Sequence, residues 1–213
     1  MLKKFMSQKG ITGLETAIIL IAFVVVAAVF AYTTLSAGLF STQKSQEAVY
    51  SGLKEAQSTL ELKGNVIATA NATGATGTVG QISFTVANVL GGQPVDFTPP
   101  TADNATGVAA TGSSNVVVIN YVDQYQAVND LYWTITKMGD ADSDNLLENN
   151  EKFKVTIGGD TAGSGAGNLV DALTTQALGP NTQFSLTIST PIGAVLEVQR
   201  TTPPWIDTIM NLR

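Results

Sequence analysis

The residues best suited to chemistry in this 213-residue chain lie in one acidic stretch, Asp140–Glu151. Its aspartates and final glutamate follow the D-x-D-x-D-[GN]-x5-E spacing of a calcium loop, with Asn145 at the glycine position. The predicted ligand positions are Asp140, Asp142, Asp144, Leu146, Glu148 and Glu151. Leu146 would contribute its backbone carbonyl and the others their side chains. We therefore predict a structural divalent-cation site, with calcium as the expected ion. The alternative is a solvated acidic turn.

The segments on either side of this loop, LYWTITKM and KFKVTIG, have the alternation of strands. The loop is therefore expected on a β-hairpin and not between two helices. A bound cation would fix a long hairpin loop in a chain that contains no cysteine.

Composition excludes several classes of chemistry. The chain has no Cys and no His, so thiol catalysis, disulfides and a Ser-His-Asp arrangement are impossible. Carboxylates and lysines remain, but no pairing pattern among them indicates an enzyme. The net charge is −6, and three of the 11 basic residues lie in the first ten, so the rest of the chain has a net charge of −9. That acidity argues against nucleic-acid binding.

A long apolar segment dominates the N-terminal part of the chain. No charged residue lies between Glu15 and Lys44, a stretch longer than the roughly 20 apolar residues that span a bilayer. The segment is about twice as long as the apolar region of a secretory signal, and no A-x-A site follows it. A basic leader ends instead at Lys9 and Gly10, which favours cleavage between Gly10 and Ile11 that keeps the apolar segment.

The helix that follows this cut is predicted to begin with an N-terminal cap and to be long. Thr12 and Glu15 fit a T-x-x-E capping box, in which Glu15 also lies at the positive end of the helix dipole. A helical period continues beyond the apolar part, through positions 49, 53, 56 and 60. We expect helix over 11–63, with Gly64 as its stop.

The remainder has the pattern of a β-rich body, which gives three regions: leader 1–10, helix 11–63 and β domain 64–213. The predicted strands are 66–70, 81–89, 115–122, 130–137, 151–157, 182–190 and 194–200. Strands this short, with turn-rich segments between them, indicate an antiparallel sandwich or barrel, so the fold class is α+β. A short helix is predicted over 169–177, and the apolar tail residues Trp205, Ile206, Ile209 and Met210 are expected to dock.

Two N-x-T sequons begin at Asn71 and Asn104, both in turn-rich segments. Export of the body would make them candidate glycosylation sites.

The first 60 residues resemble archaeal flagellins (archaellins), of the type IV pilin-like superfamily with class III signal peptides. The features that carry this resemblance are the basic leader ending Lys9-Gly10 and the segment TGLETAIILIAFVVVAAVFAYTTLSAGLF. Further along, GDADSDNLLENNEKF and AVLEVQRTTPPWID are similar to archaellin body segments.

The resemblance implies a non-enzymatic subunit of an extracellular filament used for swimming. A prepilin-type peptidase would cut after Gly10, and membrane assembly machinery would transfer the helix from the membrane into a homopolymer. The body would be an immunoglobulin-like sandwich outside the helical core. In pilins the acid at the fifth position pairs with a neighbour's N-terminal amine, and Glu15 occupies that position.

Two alternatives remain open at this point. The first is an adhesive pilin of the same superfamily. The second is a membrane-anchored surface domain that binds a ligand or carries carboxylate catalysis.

Overall fold

The computed structural model describes residues 3–57, 59–89, 92–103, 106–158, 168–193 and 195–212, with the backbone alone for 3–12 and 55–57. The chain divides into two compact units between Ser51 and Gly52. The first unit is most of one long helix. The second is a β body with its own core.

The long helix, α1, covers Lys3–Gln57, and the prediction that helix continues to Lys63 is wrong. Leu60 and Leu62 instead begin a strand, in which they pair with Asn88 and Val86 of a neighbouring strand. Leu60 lies in the core, whereas Glu61 is exposed, as a period of two requires. Gly64, with φ of +84°, lies inside this strand and not at a helix end.

All strand pairs in the described part of the β body are antiparallel, as predicted. In chain order the strands are β1 (Leu60–Ala72), β2 (Thr78–Asn88), β3 (Val95–Asp96), β4 (Val118–Asp123), β5 (Ala127–Val128), β6 (Trp133–Gly139), β7 (Leu146–Leu147), β8 (Glu151–Ile157), β9 (Gln183–Ser189), β10 (Leu196–Thr201) and β11 (Ile209–Leu212). One sheet has the order β11-β1-β2-β8-β6, a second has the order β10-β9-β4-β5, and β3 pairs with β7. Helix α2 (Leu169–Ala172) has four residues and is shorter than the predicted 169–177.

Both larger sheets contribute to one hydrophobic core. Alternate residues of β2 and β8, such as Phe84 and Phe153, meet residues of β4 and β9 such as Tyr121 and Phe184. The Tyr121 and Phe184 rings are stacked at a centroid distance of 5.9 Å. Trp133 at the start of β6 is completely buried. The second unit therefore has a hydrophobic core of its own.

The C-terminal tail only partly docks. Ile206 is buried and bridges to Gly74, and Met210 of β11 faces the core. Trp205 and Ile209, which were also expected to dock, are 57% and 68% exposed. Alternation explains the difference between Ile209 and Met210, because neighbours in a strand point to opposite faces.

Candidate functional site

Helix α1 presents an uninterrupted apolar surface. Its large aliphatic and aromatic side chains are exposed on every face, Phe23 and Phe30 by more than 70%. The segment Gly13–Lys54 is long and apolar enough to cross a membrane. A helix that is apolar all round requires lipid or other helices around it. The first candidate site is therefore the surface of α1 itself.

The threonine hydroxyls of α1 bond to the helix's own backbone. Thr16 donates to the Gly13 carbonyl at 3.0 Å, and Thr33 donates to the Phe30 carbonyl at 2.9 Å. Thr34 also donates to Phe30, and Thr42 donates to Gly38. Each hydroxyl thus has a partner one turn back and needs none from water or from another chain. These polar groups do not oppose burial of the helix.

The predicted cleavage and capping residues lie within the continuous helix Lys3–Gln57. The backbone is helical at Gly10, Ile11 and Thr12, while their side chains lie outside the described residues. Since helix precedes Thr12, the T-x-x-E cap has no role while the leader is attached. The capping prediction applies only to a chain that begins at Ile11. Glu15 is exposed on α1.

The acidic loop Asp140–Glu151 connects β6 to β8, on a hairpin as predicted. Its carboxylates accept hydrogen bonds from the loop's own backbone. The Glu151 carboxylate is buried and accepts from the N–H groups of Asp142 at 3.1 Å and of Glu148 at 2.9 Å. Asp142 accepts from the N–H of Asp144 at 2.9 Å, and Asp144 accepts from that of Leu146 at 2.9 Å.

This series of carboxylate-to-backbone turns fixes the loop without an ion. Within the described residues, no three acidic side chains come close enough together to hold one metal ion. The six ligand positions of the sequence pattern therefore lie in one loop but do not converge in this conformation. The calcium site stays a prediction.

Contacts from outside the loop also hold it, and sequence reasoning did not find them. The Lys137 ammonium donates to the Ser143 carbonyl at 2.6 Å, and the Phe97 N–H donates to the Asn145 carbonyl at 2.8 Å. Strand β3 pairs with β7 through Val95–Leu147 and Asp96–Leu146. A two-residue strand about 50 positions away carries no local signal in the sequence.

The sequons have different outcomes. Asn71 is exposed near the end of β1, next to the hairpin that leads to β2, and its Oδ1 accepts from Asn168 Nδ2 at 3.5 Å. Thr73 is also exposed, so both ends of this sequon face solvent. Asn104 lies outside the described residues.

A solvent-exposed apolar helix joined to an independently cored β body defines a subunit of a larger assembly, because the helix has no partner for its surface within its own unit. Comparison with known proteins identifies which kind. The chain belongs to the archaeal-type flagellin family, whose model matches residues 10–200. It is a structural subunit of an archaeal flagellar filament.

The relatives and solved structures agree with this family. The chain is 41% identical to probable flagellin 2 of Archaeoglobus fulgidus over 92% of this chain and 91% of that protein. Probable flagellin 1 of the same organism is 37% identical over 97% of this chain and 96% of its own length. The structure of the archaeal flagellum of Methanospirillum hungatei matches with a TM-score of 0.59 and 29% identity, over 94% of this chain and 98% of that one.

A crystal structure of archaeal flagellin FlaB1 from Methanocaldococcus jannaschii shares the fold. Its TM-score is 0.50, at 10% identity over 72% of this chain and 95% of that one. The predicted combination of a long apolar helix and antiparallel sheets is thus confirmed.

Proposed function

We propose that this chain polymerises through α1 into the core of a rotating surface filament, with the β body on the outside. The observation that carries the proposal is the charge-free stretch between Glu15 and Lys44, whose apolar side chains are exposed along α1. Side-by-side packing of many such helices keeps this surface out of water once the helix has left the membrane, because its exposure to water would cost about 25 cal/mol per Å². The contact joins different faces of identical subunits and repeats, so it yields an open helical polymer.

The leader has a role before assembly. Its lysines keep the N-terminus on the cytoplasmic side while α1 spans the membrane and the acidic body is exported. A prepilin-type peptidase then cuts between Gly10 and Ile11, and membrane machinery moves the mature chain into the growing filament. Loss of the leader removes three positive charges from the end of a helix that must enter an apolar core.

Glu15 takes a new partner after the cut. It becomes the fifth residue of the mature chain and lies one turn beyond the new N-terminal amine. In the filament it pairs with the amine of a neighbouring copy, or caps its own helix together with Thr12. Either arrangement neutralises the one carboxylate at the start of the apolar segment.

Two modifications of the body complete the proposal. The Asp140–Glu151 loop takes up a structural divalent cation, calcium by the chemistry of its oxygens, through rotation of its exposed carboxylates towards a common centre. Exposed Asn71 carries a glycan in its N-A-T sequon, and Asn104 is the second acceptor.

The mature N-terminus tests the proposal most directly. Filaments sheared from cells should contain chains that begin at Ile11, and a strain without this gene should lose swimming. A Gly10→Val variant should remain in the membrane with Met1 retained, whereas the matched control Gly13→Val should still be cut. Chains that start at Met1, recovered only from detergent-extracted membranes, would instead indicate a membrane-anchored surface domain. Filaments in a strain that swims without them would indicate an adhesive fibre.

A further inference from the structure

The β body carries an exposed tryptophan that lies outside its hydrophobic core. Trp205 is 57% exposed, and Ile209, which follows it closely in the chain, is 68% exposed. The other tryptophan of the chain, Trp133, is completely buried. Tryptophan is one of the three residue types in which the hot spots of protein interfaces are enriched. An exposed indole on a filament subunit therefore points to a contact between copies.

An apolar groove lies elsewhere on the same body. Its walls are Pro94, Val95, Val116, Pro191 and Ile192, and it encloses about 200 Å³. Val116 and Ile192 are more than 40% exposed, so the groove is open to solvent. Its lining is mostly apolar, with Gln93 and Asp96 as the polar residues, and this suits the apolar face of an aromatic ring.

The groove also offers a partner for the indole N–H. Asp96 lines it, and Asp96 Oδ1 accepts both hydrogen bonds recorded for this carboxylate, from the N–H and the hydroxyl of Thr98 at 2.8 and 2.6 Å. Within the described part of the chain, Oδ2 has no bonded donor. A buried indole N–H needs such an acceptor.

The tryptophan and the groove lie at opposite ends of the body. Pro191 and Ile192 belong to the turn between β9 and β10, whereas Trp205 follows the far end of β10. The Pro203 carbonyl accepts from the N–H of Asn181, just before β9 begins. A seven-residue strand such as β9 spans about 23 Å, which separates the two features. One body therefore cannot fill its own groove with its own Trp205.

A small contact of this kind suits copies that are already held together. One indole in one groove buries far less than the roughly 1,000 Å² that a free-standing interface needs. A contact of this size would be too weak to bind a partner that diffuses freely in solution. Between copies joined by their helices, the effective concentration is high and a small contact suffices. Trp205 and the groove are different surfaces at opposite ends of the body, so the contact between them is heterologous. Such a contact repeats from copy to copy without forming a closed ring.

We propose that Trp205 of one copy inserts into the groove formed by Pro94, Val116 and Ile192 of the next copy along the filament. This inference rests on the proposed filament assembly and assigns a second interface to it, in the outer bodies. The indole N–H donates to Asp96 of the neighbouring copy. Each body gives one tryptophan and receives one, so the contact runs in a line along the outer layer.

Tryptophan fluorescence of the full chain tests this proposal, because Trp133 is shielded in every state. Acrylamide should quench Trp205 in detergent-dispersed subunits. In pelleted filaments its quenching constant should fall several-fold, and its emission should shift to the blue. A Trp205→Phe chain, which retains Trp133 alone, should show the same quenching in both states. Trp205 that is equally accessible in filaments and dispersed subunits overturns the proposal.

A matched pair of groove and control variants identifies the binding surface. Val116→Asp places a charge in the groove, whereas Val122→Asp places one on β4, at a residue of equal size and similar exposure. Trp205 should become accessible in Val116→Asp filaments and stay protected in Val122→Asp filaments. If Trp205 stays protected in the filaments of both variants, the indole binds elsewhere and the assignment of the groove as its binding surface is wrong.

A milder series covers the case in which Val116→Asp chains do not polymerise. Trp205→Ala should lower the temperature at which filaments depolymerise, and Val116→Ala should lower it by less. The double variant should match Trp205→Ala, because the two residues share one contact. Additive losses contradict the proposal. Failure of the unaltered chain to form pelletable filaments would instead refute the filament function itself, so the two failures are distinct.

Discussion

The Glu151 carboxylate accepts a hydrogen bond from the Asp142 backbone N–H at 3.1 Å, across the loop that joins β6 to β8. Its second oxygen accepts from the N–H of Glu148, so one buried side chain fixes both arms of the loop. Glu151 is thus the structural anchor of the acidic stretch.

Replacement of this anchor should destabilise the body. In Glu151→Gln the amide NH2 replaces one acceptor oxygen and faces a backbone N–H, so one hydrogen bond to a charged acceptor is lost and a part-buried donor has no acceptor. We expect a loss of about 1–3 kcal/mol in the free energy of unfolding. Glu148→Gln is the control, because Glu148 is exposed and its own N–H still bonds to Glu151. Thermal unfolding of both chains in detergent with EDTA measures the difference, and equal stability of the two would contradict the anchor role.

Calcium should stabilise the body through the same loop. A ligand that binds only the folded state at 100 times its dissociation constant adds about 2.7 kcal/mol. The melting midpoint of the unaltered chain should rise when calcium replaces EDTA. The Asp142→Ala/Asp144→Ala chain should melt at a lower temperature even in EDTA, because two carboxylate-to-backbone turns are lost. The comparison is therefore the increase in melting midpoint that calcium causes, which should vanish in this chain. Asp171→Ala, at an exposed acid elsewhere, should retain it. An equal increment in all three chains would rule out the loop as the binding site.

A charge in the middle of α1 should block filament assembly. Val25→Asp and Ala28→Lys each place an ion where a side chain meets only lipid or other helices, at a cost of about 2.5–3.5 kcal/mol per subunit in the membrane scale. Ser45→Asp is the control, since it adds the same charge next to Lys44 and Glu47, which already form an exposed ion pair. Electron microscopy of sheared material should show filaments for the control alone. Normal filaments from Val25→Asp would contradict the proposal that α1 forms the core of the filament.

Tyr121 should make the body sensitive to alkali. Burial raises the pKa of the Tyr121 phenol far above its usual value, and the hydrogen bond to Asp123 at 2.8 Å and the charge of that carboxylate raise it further. The unfolded chain releases this proton near pH 10 while the folded body retains it. The stability due to Tyr121 is therefore complete below about pH 10 and is lost as pH rises beyond it.

Tyr121→Phe should accordingly be less stable at neutral pH and should lose less stability between pH 9.5 and about 11.5. Tyr125→Phe, at a half-exposed tyrosine between β4 and β5, should follow the unaltered chain. Melting curves of the three chains across this range provide the measurement. Parallel losses in Tyr121→Phe and the unaltered chain would show that Tyr121 titrates equally in both states.

The parts of the fold that the sequence predicted are those with local patterns. Strand β8 was predicted with both ends correct, because Lys152, Phe153, Lys154 and Val155 alternate between solvent and core. The end of α1 was missed because Leu60 continues a helical spacing and also begins a strand alternation. Only its partner Asn88, 28 residues later, decides between them. Strand β11 was missed because its four residues pair with β1, about 140 positions earlier.

The acidic loop shows the same limit at the level of side chains. Spacing predicts which residues lie in the loop, and the hairpin position was correct. The spacing does not predict whether the carboxylates face a common centre or bond to their own backbone, because both arrangements need the same residues. The bonds from Glu151 to both arms, and the bond from Lys137 across the hairpin, depend on packing that no short motif encodes.

The self-bonded threonines of α1 have a consequence for how neighbouring helices recognise one another. Their hydroxyl donors are satisfied one turn back, so exchange of lipid tails for protein neighbours neither breaks nor creates a hydrogen bond at Thr16, Thr33, Thr34 or Thr42. Lipid tails are also as apolar as leucine, so polarity does not favour one surrounding over the other. Selection of the correct register must then come from shape, from the way small and bulky side chains interlock. A volume-changing but apolar substitution, and not only a charged one, would alter the pitch of the fibre.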